Sequence, residues 1–130
     1  MSVWKMMVAA AGTALLLTAC GGSGGGDGGS SCTPTGGSTG GTASTTVKVV
    51  SDPNTVGKYD PSSISVKAGD TVEWDFKDDS AQHSVTEDNG TFDSCLQNAG
   101  AKFSVSFSKA GDYKYHCQIH AQMVGEVKVS

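Results

Sequence analysis

The sequence predicts an all-β fold, an antiparallel sandwich or barrel, on three observations. Apolar residues recur at every second position, turn residues separate those runs at short intervals, and no stretch shows good amphipathic helical spacing. The runs are Ile64 and Val66, then Val72, Trp74 and Phe76, then Phe103, Val105 and Phe107, then Tyr113 and Tyr115, and last Val127 and Val129. A period of two puts each set on one face of an extended strand, as half-buried sheets require. Turn signals stand between them at Asp52-Pro53-Asn54, Ala68-Gly69-Asp70, Asp88-Asn89-Gly90 and Ala110-Gly111-Asp112.

The chain has 130 residues, room for one domain once its N-terminal region is set aside. Its net charge is −4, and its nine basic residues are all Lys. A protein that grips a phosphate backbone needs clustered basic residues, so nucleic acid is not an expected partner. The segment 47–130 carries the whole imbalance, with 8 Lys against 12 Asp and Glu.

Residues 1–19 read as an export signal: Lys5 near the start, an apolar run from Val8 to Leu17, and small residues before Cys20. The run is too short to span a bilayer permanently. Leu17-Thr18-Ala19-Cys20 resembles the lipobox of bacterial lipoproteins, which implies cleavage before Cys20 and a diacylglycerol on its thiol. The domain is thus expected at the extracytoplasmic face of a membrane or in a periplasm. Residues 20–46 are then the lipidated Cys and a flexible tether, because Gly, Ser and Thr bury too little apolar area to offset chain entropy. A Gly-rich coil of residues 21–46 spans roughly 25–30 Å. The folded domain is expected over residues 47–130.

The chemistry concentrates in Tyr113-Lys114-Tyr115-His116-Cys117-Gln118-Ile119-His120-Ala121-Gln122-Met123, where a strand pattern runs into Cys, His and Met. Thiolate, imidazole and thioether together suit copper, which alternates between a soft reduced and a harder oxidised ion. Zinc is disfavoured, because thioether is a poor ligand for it. A second imidazole must come from elsewhere. His83 is the candidate, at the start of the strand-like run His83-Ser84-Val85-Thr86 after the polar loop Asp78-Asp79-Ser80. His116 adjoins Cys117 in a strand, so it points to the opposite face and cannot share the same ion.

These residues resemble the plastocyanin and azurin family of cupredoxins, over Val47 to Ser130. The resemblance rests on Ala68-Gly69-Asp70-x-Val72-x-Trp74, on Gly111-x-Tyr113-x-Tyr115-x-Cys117, and on an amicyanin-like spacing of Cys117, His120 and Met123. It implies an eight-stranded Greek-key sandwich holding one copper ion through His83, Cys117, His120 and a weak axial Met123, with electrons leaving through His120. A type 1 (blue) copper electron carrier without enzymatic activity, a monomer serving redox proteins such as a cytochrome or an oxidase, is therefore expected. A copper carrier or sensor would use the same ligands. A nitrite-reductase-like enzyme would need a second copper at His116, and the chain holds only three His.

Two positions depart from the family pattern. Ile119 stands where Pro is usual, which frees a backbone N–H for the Cys117 sulfur. Ser84 follows His83 where Asn is common, which puts the bonds pinning the ligand loops in doubt. In an exported protein the two remaining thiols, Cys32 and Cys95, most simply pair.

Overall fold

A computed structural model describes residues 32–39 and 42–130. The signal segment and Cys20 lie outside the described residues. Those residues form eight strands and no helix: β1 (Thr45–Ser51), β2 (Gly57–Asp60), β3 (Ser63–Val66), β4 (Thr71–Phe76), β5 (Thr86–Glu87), β6 (Lys102–Ser106), β7 (Gly111–Cys117) and β8 (His120–Val129). They build two four-stranded sheets, in the orders β2-β1-β4-β6 and β3-β8-β7-β5.

The sheets are mixed rather than purely antiparallel. β1 runs parallel to β4, with Val47 opposite Trp74, and β3 runs parallel to β8, with Ile64 opposite Val127. Parallel neighbours need a long crossover, and here the chain supplies it by passing to the other sheet between β2 and β3 and returning at β4. Alternation of apolar residues reports which face of a strand is buried, not the direction of its neighbour. The sequence pattern therefore located strands without their pairing.

The inner faces meet in one core. β4 alternates half-buried Thr71, Glu73 and Asp75 with fully covered Val72, Trp74 and Phe76. Trp74 is the hub: its ring centroid lies 5.6 Å from that of Phe92 and 5.3 Å from that of Tyr115, the latter edge-on at 82°. Truncating a buried ring of this kind costs roughly 3–5 kcal/mol. Opposite Tyr115 in β8 stands Gly125, where a Cβ would lie 2.3 Å from the tyrosine ring. Any side chain at that position would collide with the ring.

Part of the expected tether belongs to the domain. Thr35 pairs with Asp93 and Ser38 with Ser104 as backbone bridges, and Cys32 is joined to Cys95 by a disulfide. Gly36 and Gly37 allow this contact, since a Cβ there would sit 2.2 Å from the Thr91 carbonyl and 2.5 Å from the Phe103 ring respectively. Gly-rich composition reads as coil when apolar area alone is counted. Here the glycines gain order by letting the backbone lie directly on aromatic rings and bond to strand edges. The domain also starts slightly earlier than residue 47, because β1 begins at Thr45.

Candidate metal centre

Three elements bring the candidate ligands together at one end of the two sheets. Cys117 ends β7 and His120 begins β8, with Gln118 and Ile119 forming the tight connection between them. The β7–β8 register shifts between His116 and Cys117, so that Cys117 faces His120 across the turn. His83 lies before β5 rather than inside a strand. Its backbone is held by Gln97, through His83 N–H to Gln97 O at 3.2 Å and Gln97 N–H to His83 O at 2.8 Å.

The side chains converge. His83 Nδ1 lies 3.2 Å from His120 Nδ1 and 4.0 Å from Cys117 Sγ, and His120 Nδ1 lies 3.4 Å from the same sulfur. His83 and Cys117 are 1% exposed, while His120 is only half-buried and reaches towards the surface. Burial lowers the pKa of His120, and the neighbouring His83 lowers it further against the opposing pull of Asp78. Three electron-pair donors this close together, two of them buried, suit a cation better than the hydrogen bonds they share among themselves. Met123, three residues into β8, is 3% exposed and belongs to the same buried cluster as Cys117.

A second layer fixes these groups. Ser84 donates its N–H to Cys117 Sγ at 3.4 Å, and its hydroxyl accepts the Gln118 N–H at 2.9 Å. Ser84 thus ties the His83 segment to the Cys117–His120 turn, the pinning that its replacement of Asn had left in doubt. The donation expected from the Ile119 N–H to the Cys117 sulfur is not formed among the described residues. The Ile119 side chain is exposed instead.

Asp78 accepts a hydrogen bond from His83 Nε2 at 2.6 Å, with both side chains 1% exposed. Burial alone would raise the pKa of this carboxyl. Hydrogen bonds from Ser80 and His83 outweigh that and hold it at about 2. Because an ionised carboxylate only accepts, Nε2 carries the proton and Nδ1 keeps its lone pair for the centre. Gly57 closes the other side of the ring: a Cβ there would lie 2.4 Å from His83 Cε1.

Sequence reasoning named the three converging residues and Met123, buried in the same cluster as Cys117, but neither Asp78 nor Gly57. The run Asp78-x-x-x-x-His83 held a weak signal for the first, and nothing in the sequence marked the second. His116 points away from the cluster and bonds Asp88 Oδ1 at 2.7 Å at the surface. Cys32, Asp93 and Cys95 also lie close together, but both sulfurs are consumed in the disulfide.

A family model of copper binding proteins, the plastocyanin/azurin family, matches residues 45–130. The chain belongs to this family of cupredoxins. It binds one copper ion, and the converging Cys and His side chains, with Met123 buried in the same cluster as Cys117, are chemically suited to it. Among curated relatives, chloroplastic plastocyanin of Tetradesmus obliquus is 32% identical over 83 residues, covering 55% of this chain and 57% of that protein. Amicyanin of Paracoccus denitrificans is 35% identical over 77 residues, covering 55% of this chain and 58% of its own length. The chain thus matches a little over half the length of these two relatives. Among solved structures, a purple cupredoxin from Nitrosopumilus maritimus superposes with a TM-score of 0.54 at 30% identity, over 64% of this chain and 98% of that one. An oxidised amicyanin variant gives a TM-score of 0.53 at 28% identity, over 65% and 81%. These cupredoxin neighbours share the two-sheet all-β architecture.

Proposed function

We propose that this cupredoxin is a blue-copper electron carrier, not an enzyme, that exchanges single electrons with redox proteins outside the cytoplasm. The observation that carries the reading is the convergence of His83 Nδ1, Cys117 Sγ and His120 Nδ1 within 4.8 Å of one another, beside buried Met123. In this reading those four residues are the ligands, and bound copper supplies a one-electron couple between its +2 and +1 states.

The protein's part is to keep the ligands still. His83 is clamped between Asp78 and Gly57, and Cys117 is held by β7 and by the Ser84 N–H. Ligands that cannot relax cost little reorganisation when the charge at the site changes. Burial of His83 and Cys117 keeps water from competing for the ion. His120 is the exposed member of the set and serves as the electron exit. Ile119 and Val124, 51% and 57% exposed, offer partners an apolar contact beside it. His116 supports no second copper, since it pairs with Asp88 and has no further imidazole for company.

The domain is taken to be tethered by a lipid on Cys20 and a Gly-rich linker that Cys32 ends, and to act as a monomer without a small-molecule substrate. Visible and electron paramagnetic resonance spectra of the copper-loaded protein test the function. One narrow-hyperfine centre with intense thiolate-to-copper absorption is expected. A second, colourless copper would refute the reading in favour of an enzyme. Incorporation of labelled fatty acid that disappears in Cys20→Ala tests the anchor.

A further inference from the structure

We propose that Asp78 is a positioning residue for the copper centre, which aims His83 Nδ1 at Cys117 and biases the bound ion towards its oxidised state. The inference rests on His83 being a ligand, as proposed above. Asp78 Oδ2 takes the Nε2–H of His83 at 2.6 Å, on the side of the ring opposite the nitrogen that faces the Cys117 sulfur. Its other oxygen takes the Ser80 N–H at 2.8 Å and the Ser80 hydroxyl at 2.5 Å, so the carboxylate is itself fixed. Ring and carboxylate form a rigid pair, sealed from water.

The charge matters as well as the bond. Among the described residues the only ion-pair partner of Asp78 is His83. The adjacent Lys77 ammonium pairs with Asp75 instead, at 3.0 Å. A carboxylate lacking a Lys counter-ion leaves a buried negative charge behind one ligand. Such a charge stabilises the more positive ion more strongly, since the Coulomb energy scales with the product of the charges and is poorly screened there. Drawing the Nε2 proton towards the carboxylate also makes Nδ1 a stronger donor, which a harder, more positive ion rewards. Both effects favour Cu(II) over Cu(I), and both act through His83 without Asp78 touching the metal.

Asp78→Asn separates charge from position, because the amide oxygen can still accept the Nε2–H while the negative charge is gone. The expected result is a shift of about tenfold in the relative affinity for the two ions towards Cu(I). For one electron that is a reduction potential about 59 mV higher, with the thiolate-to-copper absorption retained. A potential that stays the same or falls, with absorption and fold intact, would overturn the inference. If the Asn variant does not fold, Ser80→Ala serves in its place. Removing one donor from the carboxylate leaves its charge less shared, so the potential should fall, and an unchanged value again overturns the inference. His83→Ala distinguishes the two levels of reading. If it keeps the native absorption, His83 is not a ligand and both readings fail. If it loses the absorption while the Asn variant keeps its native potential, only the role of Asp78 is overturned.

Discussion

Gly57→Ala should disturb the metal centre without replacing any proposed ligand. A Cβ built on Gly57 would stand 2.4, 2.9 and 3.2 Å from the Cε1, Nε2 and Nδ1 atoms of His83, where ordinary contact begins at 3.4 Å. Relief therefore requires about 1 Å of movement, 3.4 − 2.4, between strand β2 and the imidazole. The strand is poorly placed to yield. Gly57 is paired with Ser51, and two residues on the Tyr59 hydroxyl bonds the Ser84 carbonyl, fastening β2 to the very segment it would push away. The ring must then swing away from its bond to Asp78. Overpacking of this size costs about 1–3 kcal/mol. Chemical unfolding of the apoprotein should show that loss. The copper-loaded variant should show a shifted thiolate absorption and faster loss of copper to a chelator. If Gly57→Ala unfolds at the native midpoint and keeps the native spectrum, the clamp on His83 is not rigid and the reasoning fails.

Three further outcomes follow from other contacts. Cys32→Ser opens a closure of 63 residues in sequence separation, worth about 4 kcal/mol in the chain-entropy model, so the unfolding midpoint should drop sharply; a change below about 1 kcal/mol would show that the bridge adds little. Ser84→Ala removes the acceptor of the Gln118 N–H in a part-buried bond, which should cost about 0.5–1.5 kcal/mol and speed copper release in stopped-flow exchange; native release kinetics would count against the pinning role. Burial would raise the Asp78 pKa, but the Ser80 and His83 bonds bring it to about 2 from an ordinary 3.8. Its stabilisation is accordingly complete above that ordinary value and lost as the pH falls towards 2. Unfolding of apoprotein at about pH 5 and about pH 2.5 should show a smaller acid loss in Asp78→Asn than in the native chain, and equal losses would refute the assignment.

What the sequence made legible were features with a local signature. Strand parity put Trp74, Tyr115 and Cys117 on inner faces, because alternation along one strand is fixed by backbone geometry. The close spacing of Cys117, His120 and Met123 likewise marked one turn and the strand after it. Features that depend on contact between distant segments were hidden. Gly57 lies 26 residues before His83, and glycine has many causes. Asp78 looked like one acid in a polar loop beside Asp79, and only burial distinguishes the two. The parallel pairings β1–β4 and β3–β8 were hidden for the same reason, since neither strand carries a mark of its neighbour's direction.

The arm at residues 32–39 was misread most instructively, because its order comes from the other end of a chain of bonds that reaches the thiolate. Asp93, bridged to Thr35, accepts the Cys95 N–H at 2.8 Å and the Thr86 hydroxyl at 3.0 Å on the same oxygen. That hydroxyl lies 2.8 Å from the Ser84 hydroxyl, which in turn accepts the Gln118 N–H next to Cys117. Ser94 adds a parallel tie, giving its N–H to the Val85 carbonyl at 2.9 Å and taking the Val85 N–H on its hydroxyl at 2.8 Å. Residues 83–86 are too short a stretch of strand to hold themselves, and β5 proper is only Thr86–Glu87. Their order is borrowed from 93–97, which the disulfide and the arm hold in place. The proposed ligand His83, on a weak strand, thus gains rigidity from a cross-link elsewhere in the sequence, and a glycine-rich segment contributes to the stillness of the proposed copper site.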